Sequence, residues 1–334
     1  MFLTFLILVC VALFVLGPRP KVDLTTPIKP GRFGANLYSS YSETEKLKKI
    51  QAQLAEIENF FPAVPKGAEK AIIFNNEHQP TKTDYCVLYL HGFSATRQEI
   101  TPVPENIAKH FNANYHATRI TGHGLTGDEL AKATPYDWMY DALEAWQIAE
   151  QLGKKVIIIC TSTGGTLATW LSQQPQTQGK LASLVMISPN FGPKHWAMPL
   201  FQMPWSRYWI PLISKGVHSW EPSNEAGATY WTYSYPTSIV HDMNAFVKAV
   251  CKSKVEQINA PTLFIYSDHD VIVNSRKTDE VARRWGAEVK HRIAVPARAN
   301  DNNHVITGDI VNPASTDMIH GEIASFLARH VIKH

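Results

Sequence analysis

Ser162 is the residue of this sequence best placed to act as a nucleophile. It stands in Cys160-Thr161-Ser162-Thr163-Gly164-Gly165, directly after Val156–Ile159, an unbroken β-branched run. Such a run reads as a strand buried on both faces of a parallel sheet. A strand, a tight turn with Ser at its apex and then a helix make the geometry of a nucleophile elbow. Bulk is excluded there, because the Ser takes strained backbone angles and neighbours two positions to either side pack together. The helix that follows aims its N-terminal N–H groups at the place where negative charge would develop. The usual form is G-x-S-x-G, and Cys160 stands at the first Gly position. An ordinary buried Ser in a β-to-α connection is the other reading of the same residues.

A Ser hydroxyl attacks only when a base takes its proton and a carboxylate orients that base. In a doubly wound sheet such groups lie beyond the carboxyl ends of strands. Asp268 and Asp270 both follow the strand-like Thr262–Tyr266, and either fits. His304 follows His291–Val295, inside Asn300–Val305, a loop of turn-formers. The chain order is Ser, Asp, His. The fourteen His are not spaced as metal ligands and no H-E-x-x-H occurs, so neither a metal nor an organic cofactor is expected. Cys10, Cys86, Cys160 and Cys251 form no C-x-x-C pair and no disulfide framework, and Cys160 reads as a packed small residue. A net charge of +3 without a Lys/Arg cluster argues against nucleic acid.

The elements that must position these groups are legible in order. Ser42-x-x-Glu45 is a capping box, and Leu47, Ile50, Leu54, Ile57 and Phe61 follow at helical spacing. Ala71–Phe74, Tyr85–Leu90, Tyr115–Ile120, Leu184–Ile187, Thr262–Tyr266 and His291–Val295 read as strands. Helices are expected over Pro104–Phe111, from Thr134-Pro135 to a closing Gly153, and over Ala314–Val331. Strands alternating with helices imply an α/β fold with a mostly parallel sheet. From Phe191 to about Val250 this periodicity breaks, in a stretch that holds Trp196, Trp205, Trp209, Trp220 and Trp231.

Six stretches together carry a resemblance. They are LHGFSAT (Leu90–Thr96), RITGHG (Arg119–Gly124), the Tyr136–Trp138 helix start, the elbow, YSDHDVIVN (Tyr266–Asn274) and HVITGD (His304–Asp309). In this order they resemble the α/β-hydrolase superfamily and, within it, the bacterial carboxylesterases and monoacylglycerol lipases. The resemblance covers about Tyr85–Asn190 and Thr262–His330. It implies an α/β-hydrolase fold, with a mostly parallel sheet, helices on both faces and an inserted cap. By the same resemblance Ser162 is the nucleophile, His304 the base and Asp270, which precedes Val271-Ile272-Val273, the acid. The backbone N–H groups of Phe93 and Thr163 would form the oxyanion hole. His91 and His123 are expected to hold loops rather than to move protons.

The implied activity is that of a serine carboxylic-ester hydrolase acting on a small-molecule ester with an acyl chain. An acyltransferase with the same triad, or a hydrolase-fold protein that only binds, are the alternatives. The segments expected are an anchor at 1–17, a linker and amphipathic helix at 18–80, a core at 81–190 and 260–334, and a cap at 191–259. The cap's Trp residues are expected either to line an acyl pocket or to pack the cap onto the core. Residues 2–16 are nearly all apolar and lack a preceding positive charge or a small-x-small cleavage site. This favours a retained membrane anchor over a signal peptide or a buried helix. Arg19 and Lys21 then put the remainder on the cytoplasmic side. Oligomeric state is left open.

Overall fold

The computed structural model describes residues 2–299 and 301–332. Met1, Asn300, Lys333 and His334 lie outside the described residues. They fall in the expected segments 1–17 and 260–334 and in the turn-rich 300–305 stretch. In chain order the elements begin with α1 (Phe2–Val15) and α2 (Glu43–Glu58). β1 (Ala71–Ile73), β2 (Thr83–Leu90), α3 (Val103–His110), β3 (Asn114–Ala117), α4 (Gly127–Lys132) and α5 (Pro135–Leu152) follow. Next come β4 (Gly153–Thr161), α6 (Thr163–Leu171) and β5 (Leu181–Ile187). Residues 191–259 hold α7 (Ser206–Ile213), β6 (Val217–Ser219), α8 (Glu225–Tyr230), β7 (Ser234–Pro236) and α9 (Ser238–Cys251). The chain then runs through β8 (Thr262–Tyr266), α10 (Ser275–Arg284), β9 (Lys290–Ala294) and α11 (Thr316–His330).

Seven strands make one sheet in the order β1-β3-β2-β4-β5-β8-β9. Among the described residues only β1 runs antiparallel within it. Successive side chains point to opposite faces, and here both faces are covered. Leu88, Ile158, Cys160 and Met186 pack with Trp146 of α5, Leu167 of α6 and Phe246 of α9. Val87, Tyr89, Ile157, Ile159 and Val185 pack on the other face with Ile107 of α3 and Ile323 and Leu327 of α11. That two-sided burial is why the central strands read as continuous apolar runs rather than alternating ones. β6 and β7 pair separately as a two-stranded antiparallel ribbon.

Caps set the helix starts. Ser42 and Thr134 each accept an N–H three residues on, while Glu45 and Asp137 bond back, so both are capping boxes. Gly153 ends α5, though not in the left-handed conformation a closing Gly usually takes: its φ is −137°. It is small for another reason. A Cβ there would lie 2.3 Å from the Cys86 backbone N, so β4 could not approach β2.

Glu58, at the end of α2, makes a two-point ion pair with Arg119, Nε to Oε2 at 2.7 Å and Nη2 to Oε1 at 3.0 Å. Both side chains are buried. Arg119 also donates to the His123 carbonyl at 3.2 Å, tying α2 to the loop after β3. Removing one partner of a buried pair strands the other charge. Arg119→Met is therefore expected to cost about 3–5 kcal/mol of stability, measured by denaturant unfolding. A loss under about 1 kcal/mol, the scale of an exposed pair, would contradict this.

The anchor expected at 2–16 is corrected by the structure. Among the described residues no helix is long and apolar enough to cross a membrane. α1 has 14 residues, or about 21 Å of helix, against a hydrocarbon core of about 30 Å. Gly17 and Pro18 stop it from growing longer, since Pro donates no N–H and fixes its φ. The cytoplasmic-side inference rested on that span and goes with it. α1 instead contacts the 191–259 segment: Trp205 donates its ring N–H to the Leu13 carbonyl (3.2 Å) and its backbone N–H to Pro18 (2.8 Å).

Candidate active site

β4 ends at Thr161 and α6 begins at Thr163, which leaves Ser162 alone to make the turn. It does so at φ +50° and ψ −120°, a conformation that costs a non-glycine residue strain. The surroundings over-determine it. The Ser162 N–H donates to the Ile187 carbonyl (3.0 Å), and the Ser162 carbonyl accepts from Asn190 (2.8 Å) and Gly165 (2.9 Å). Gly164 cannot carry a side chain, because a Cβ there would lie 2.1 Å from the Leu90 carbonyl oxygen. At Gly165 a Cβ would meet that of Pro189 at 2.7 Å. The two glycines thus answer chiefly to the end of β2 and to Pro189 after β5, with Cys160 Sγ 3.9 Å from a Cβ at Gly165. Cys160 fits because its Sγ turns sideways to the Val185 carbonyl at 3.4 Å. Burial pushes its thiol far above the usual range, so it sits as a packed neutral group.

The strand ends bring the other groups to this turn. His304 Nε2 lies 2.9 Å from Ser162 Oγ, and His304 Nδ1 lies 2.7 Å from Asp270 Oδ2. All three are nearly sealed from solvent, at 6%, 7% and 0% exposure for Ser162, His304 and Asp270. The other Asp270 oxygen, Oδ1, accepts the N–H groups of Ile272 (2.8 Å) and Val273 (2.9 Å). Here is the structural content of the residues after the aspartate: their backbone fixes its carboxylate. Asp268 is two residues away but turns outward to an ion pair with Arg292. The two loops are stitched together, since Val271 donates to the Asn302 carbonyl (3.0 Å) and His304 N–H to Asn302 Oδ1 (2.9 Å).

Burial alone would lower the His304 pKa. The charges of Asp270 and Glu99 and the Asp270 hydrogen bond outweigh it, and the imidazole is raised above its ordinary 6.5. Such an arrangement can draw a proton from a hydroxyl and hold it as imidazolium. Phe93 follows the His91-Gly92 pair after β2, and Thr163 opens α6. Among the described residues neither backbone N–H is given to an intramolecular acceptor.

His91 bridges two loops: its Nδ1 donates to the Gly92 carbonyl (2.9 Å) and its Nε2 accepts the Ile120 N–H (3.0 Å). One nitrogen donates and the other accepts, so the ring is neutral, as burial also requires. His123 bonds the Thr121 carbonyl at 3.2 Å and is lowered to about 4 by burial. Of the five Trp in 191–259, Trp196 is 81% exposed, Trp205 is part-exposed against α1, Trp220 is part-exposed, and Trp231 is buried. Among the described residues the rings around Phe93 are Tyr235 of β7 (5.3 Å), the one ring from this segment, with His123 (5.7 Å) and Trp138 (6.0 Å) from the core.

Two residues here carried no signal in the sequence. Asn190, just past β5, donates to Thr163 Oγ1 at 3.1 Å and accepts from Gly192 at 3.1 Å. Glu99 lies buried under Gly92. A lone Asn after a strand or a Glu in a turn reads as solvent-facing, and only the assembled loops show otherwise.

The comparisons agree with this architecture. A family profile described as serine aminopeptidase, S33 (Hydrolase_4) matches residues 81–298, which takes in Ser162 and Asp270 and stops short of His304. A carboxylesterase of Bacillus subtilis (strain 168) is 22% identical over 269 residues, covering 74% of this chain and 93% of the relative. A thermostable monoacylglycerol lipase of Bacillus sp. (strain H-257) is 26% identical over 249 residues, covering 73% and 90%. Among solved structures, one from work on the metagenome-derived lipolytic enzymes LipS and LipT superposes with a TM-score of 0.64 at 19% identity. It covers 80% of this chain and 100% of that one. A soluble variant of the monoglyceride lipase of Saccharomyces cerevisiae gives a TM-score of 0.62 at 13% identity, covering 80% and 94%. With the family matched over more than half its length, the chain belongs to the serine aminopeptidase S33 family of α/β-hydrolases.

Proposed function

We propose that this hydrolase is a serine carboxylic-ester hydrolase that works through an acyl-enzyme on Ser162. The observation that carries the reading is the unbroken line from Asp270 through His304 to Ser162, at 2.7 and 2.9 Å. His304 Nε2 takes the hydroxyl proton as Ser162 Oγ attacks the ester carbonyl. The Phe93 and Thr163 N–H groups receive the oxyanion, each such donor contributing about 2.7–4 kcal/mol to the transition state. Asp270 holds the imidazolium in place. The alcohol leaves with that proton, and water, activated by the same His304, releases the acid. The segment 191–259 is read as the cap over this site. Phe93, Trp138, Leu167 and Phe246 line an apolar slot of about 10 Å³ beside the oxyanion loop, room for about one water molecule.

The family description favours a second reading, hydrolysis of an amide at a peptide's amino end. The named relatives favour the ester. A panel of p-nitrophenyl esters set beside aminoacyl p-nitroanilides decides between them, and an added alcohol acceptor exposes acyl transfer. Faster turnover of the anilides, or alcohol capturing the acyl group ahead of water, contradicts the ester hydrolase.

The pH dependence follows from His304. The free enzyme is active with His304 neutral, and Asp270 and Glu99 raise its pKa. Activity is then lost as pH falls through that raised value. The acid limb of kcat/KM is expected to lie above pH 6.5 in a rate profile, and a midpoint below that contradicts the assignment.

A further inference from the structure

The acylation scheme uses three side chains, and a fourth ionisable group lies buried among them. Glu99 sits in the short helical turn Arg97–Ile100 after the Phe93 loop and is 2% exposed. Its hydrogen bonds converge on one oxygen: Oε2 accepts the Gly92 N–H at 2.8 Å and the Tyr89 hydroxyl at 3.0 Å. The carboxylate and Ser162 crowd the same face of Gly92. A Cβ built on Gly92 would be 2.7 Å from Glu99 Oε1, 3.2 Å from Oε2 and 3.1 Å from Ser162 Cβ. The backbone of the same turn supports the His304 loop. A Cβ on Gly308 would lie 2.9 Å from the Glu99 carbonyl oxygen, and Asp309 donates its N–H to Thr101 at 2.9 Å. Glu99 is thus held between the loop that presents Phe93 and the loop that presents His304.

We infer that Glu99 is a positioning residue for the acyl transfer proposed above, on which this inference rests. Its carboxylate pins the Gly92 turn behind the Phe93 N–H and places a second negative charge beside His304. The ionisable groups that face Glu99 are His304, from the loop after β9, and Tyr89, from β2. Those that face His304 are Asp270, from the loop after β8, and Glu99. Burial pushes the Glu99 carboxyl up to about 7, while the Gly92 N–H, the His304 charge and the Tyr89 hydroxyl pull the other way. A carboxylate beside an imidazole favours the imidazolium. Taking that charge away therefore lets His304 lose its proton at lower pH.

Glu99→Gln separates the two parts of the role, because one amide oxygen can accept both bonds while the charge is gone. Its acid limb of kcat/KM is expected to move down by about half to one pH unit. Glu99→Ala also frees the Gly92 turn, and kcat should fall roughly 10²-fold with KM little changed. Should either variant fail to fold, Tyr89→Phe serves in its place. Without the Tyr89 donor the Glu99 carboxyl stays neutral to higher pH, so the limb should shift the same way by less. Labelling of Ser162 by a fluorophosphonate in the unsubstituted protein is recorded first, across pH. No labelling defeats the acyl-transfer reading and this inference with it. Normal labelling, with an acid limb that Glu99→Gln and Tyr89→Phe leave in place, overturns the role of Glu99 alone. So does a fall in Tm with no shift of the limb, which is the mark of a merely structural carboxyl.

Discussion

Ser162→Ala is expected to lower kcat for ester hydrolysis by about 10⁶-fold, the scale on which serine hydrolases lose activity without their nucleophile. The fold should survive. The turn is held by backbone bonds from Ser162 to Ile187, Asn190 and Gly165, none of which needs the hydroxyl. Ala carries a Cβ as Ser does and meets the same cost at φ +50°, so Tm is expected to change little beside the large loss of rate. Steady-state kinetics with p-nitrophenyl acetate and a thermal melt together read both. Retained activity in a folded variant would sink the nucleophile assignment.

Asp270→Asn is expected to cost about 10⁴-fold in kcat, because an amide in that place favours the wrong His304 tautomer. The loss should be confined to Asp270. Asp268 faces solvent and pairs with Arg292. Exposed pairs of this kind contribute about 0–1 kcal/mol, so Asp268→Asn should change kcat less than tenfold. Were Asp268→Asn the more damaging change, the acid would have to be reassigned and the Asp270 contacts to Ile272 and Val273 read as structural.

The scaffold of this site was legible because central strands, caps and turn residues leave local marks. Val156–Ile159 is apolar throughout because both sheet faces are covered, and Ser42 and Thr134 each carry their capping partner three residues on. Asp268 and Asp270 could not be told apart from spacing alone. What separates them is a backbone cradle on one and an ion pair with a residue of the next strand on the other. Glu99 gave no sign at all, since its partners are a strand tyrosine, a loop amide and an imidazole about 200 residues away, brought together only when the sheet closes. Gly153 was read as a helix stop, yet its smallness answers to β2 across the sheet. The N-terminal run misled for a plain reason: apolar composition sets solubility in a bilayer, whereas length sets whether a helix crosses it. Residues 191–237 lack a period because α7, β6, α8 and β7 are short and irregularly joined, and there the Trp positions could be seen but not their facing. α9, a regular 14-residue helix over Ser238–Cys251, corrects the expectation that the break runs to about Val250.

Peptide mapping of the fluorophosphonate adduct tests the central claim most directly. The unsubstituted protein, labelled at neutral pH and digested, should carry the phosphonyl mass on the peptide that contains Ser162 and on no other, and prior incubation with an ester substrate should slow its formation. An adduct on a different residue, or an unlabelled Ser162 in a protein that still hydrolyses the ester, would contradict the account.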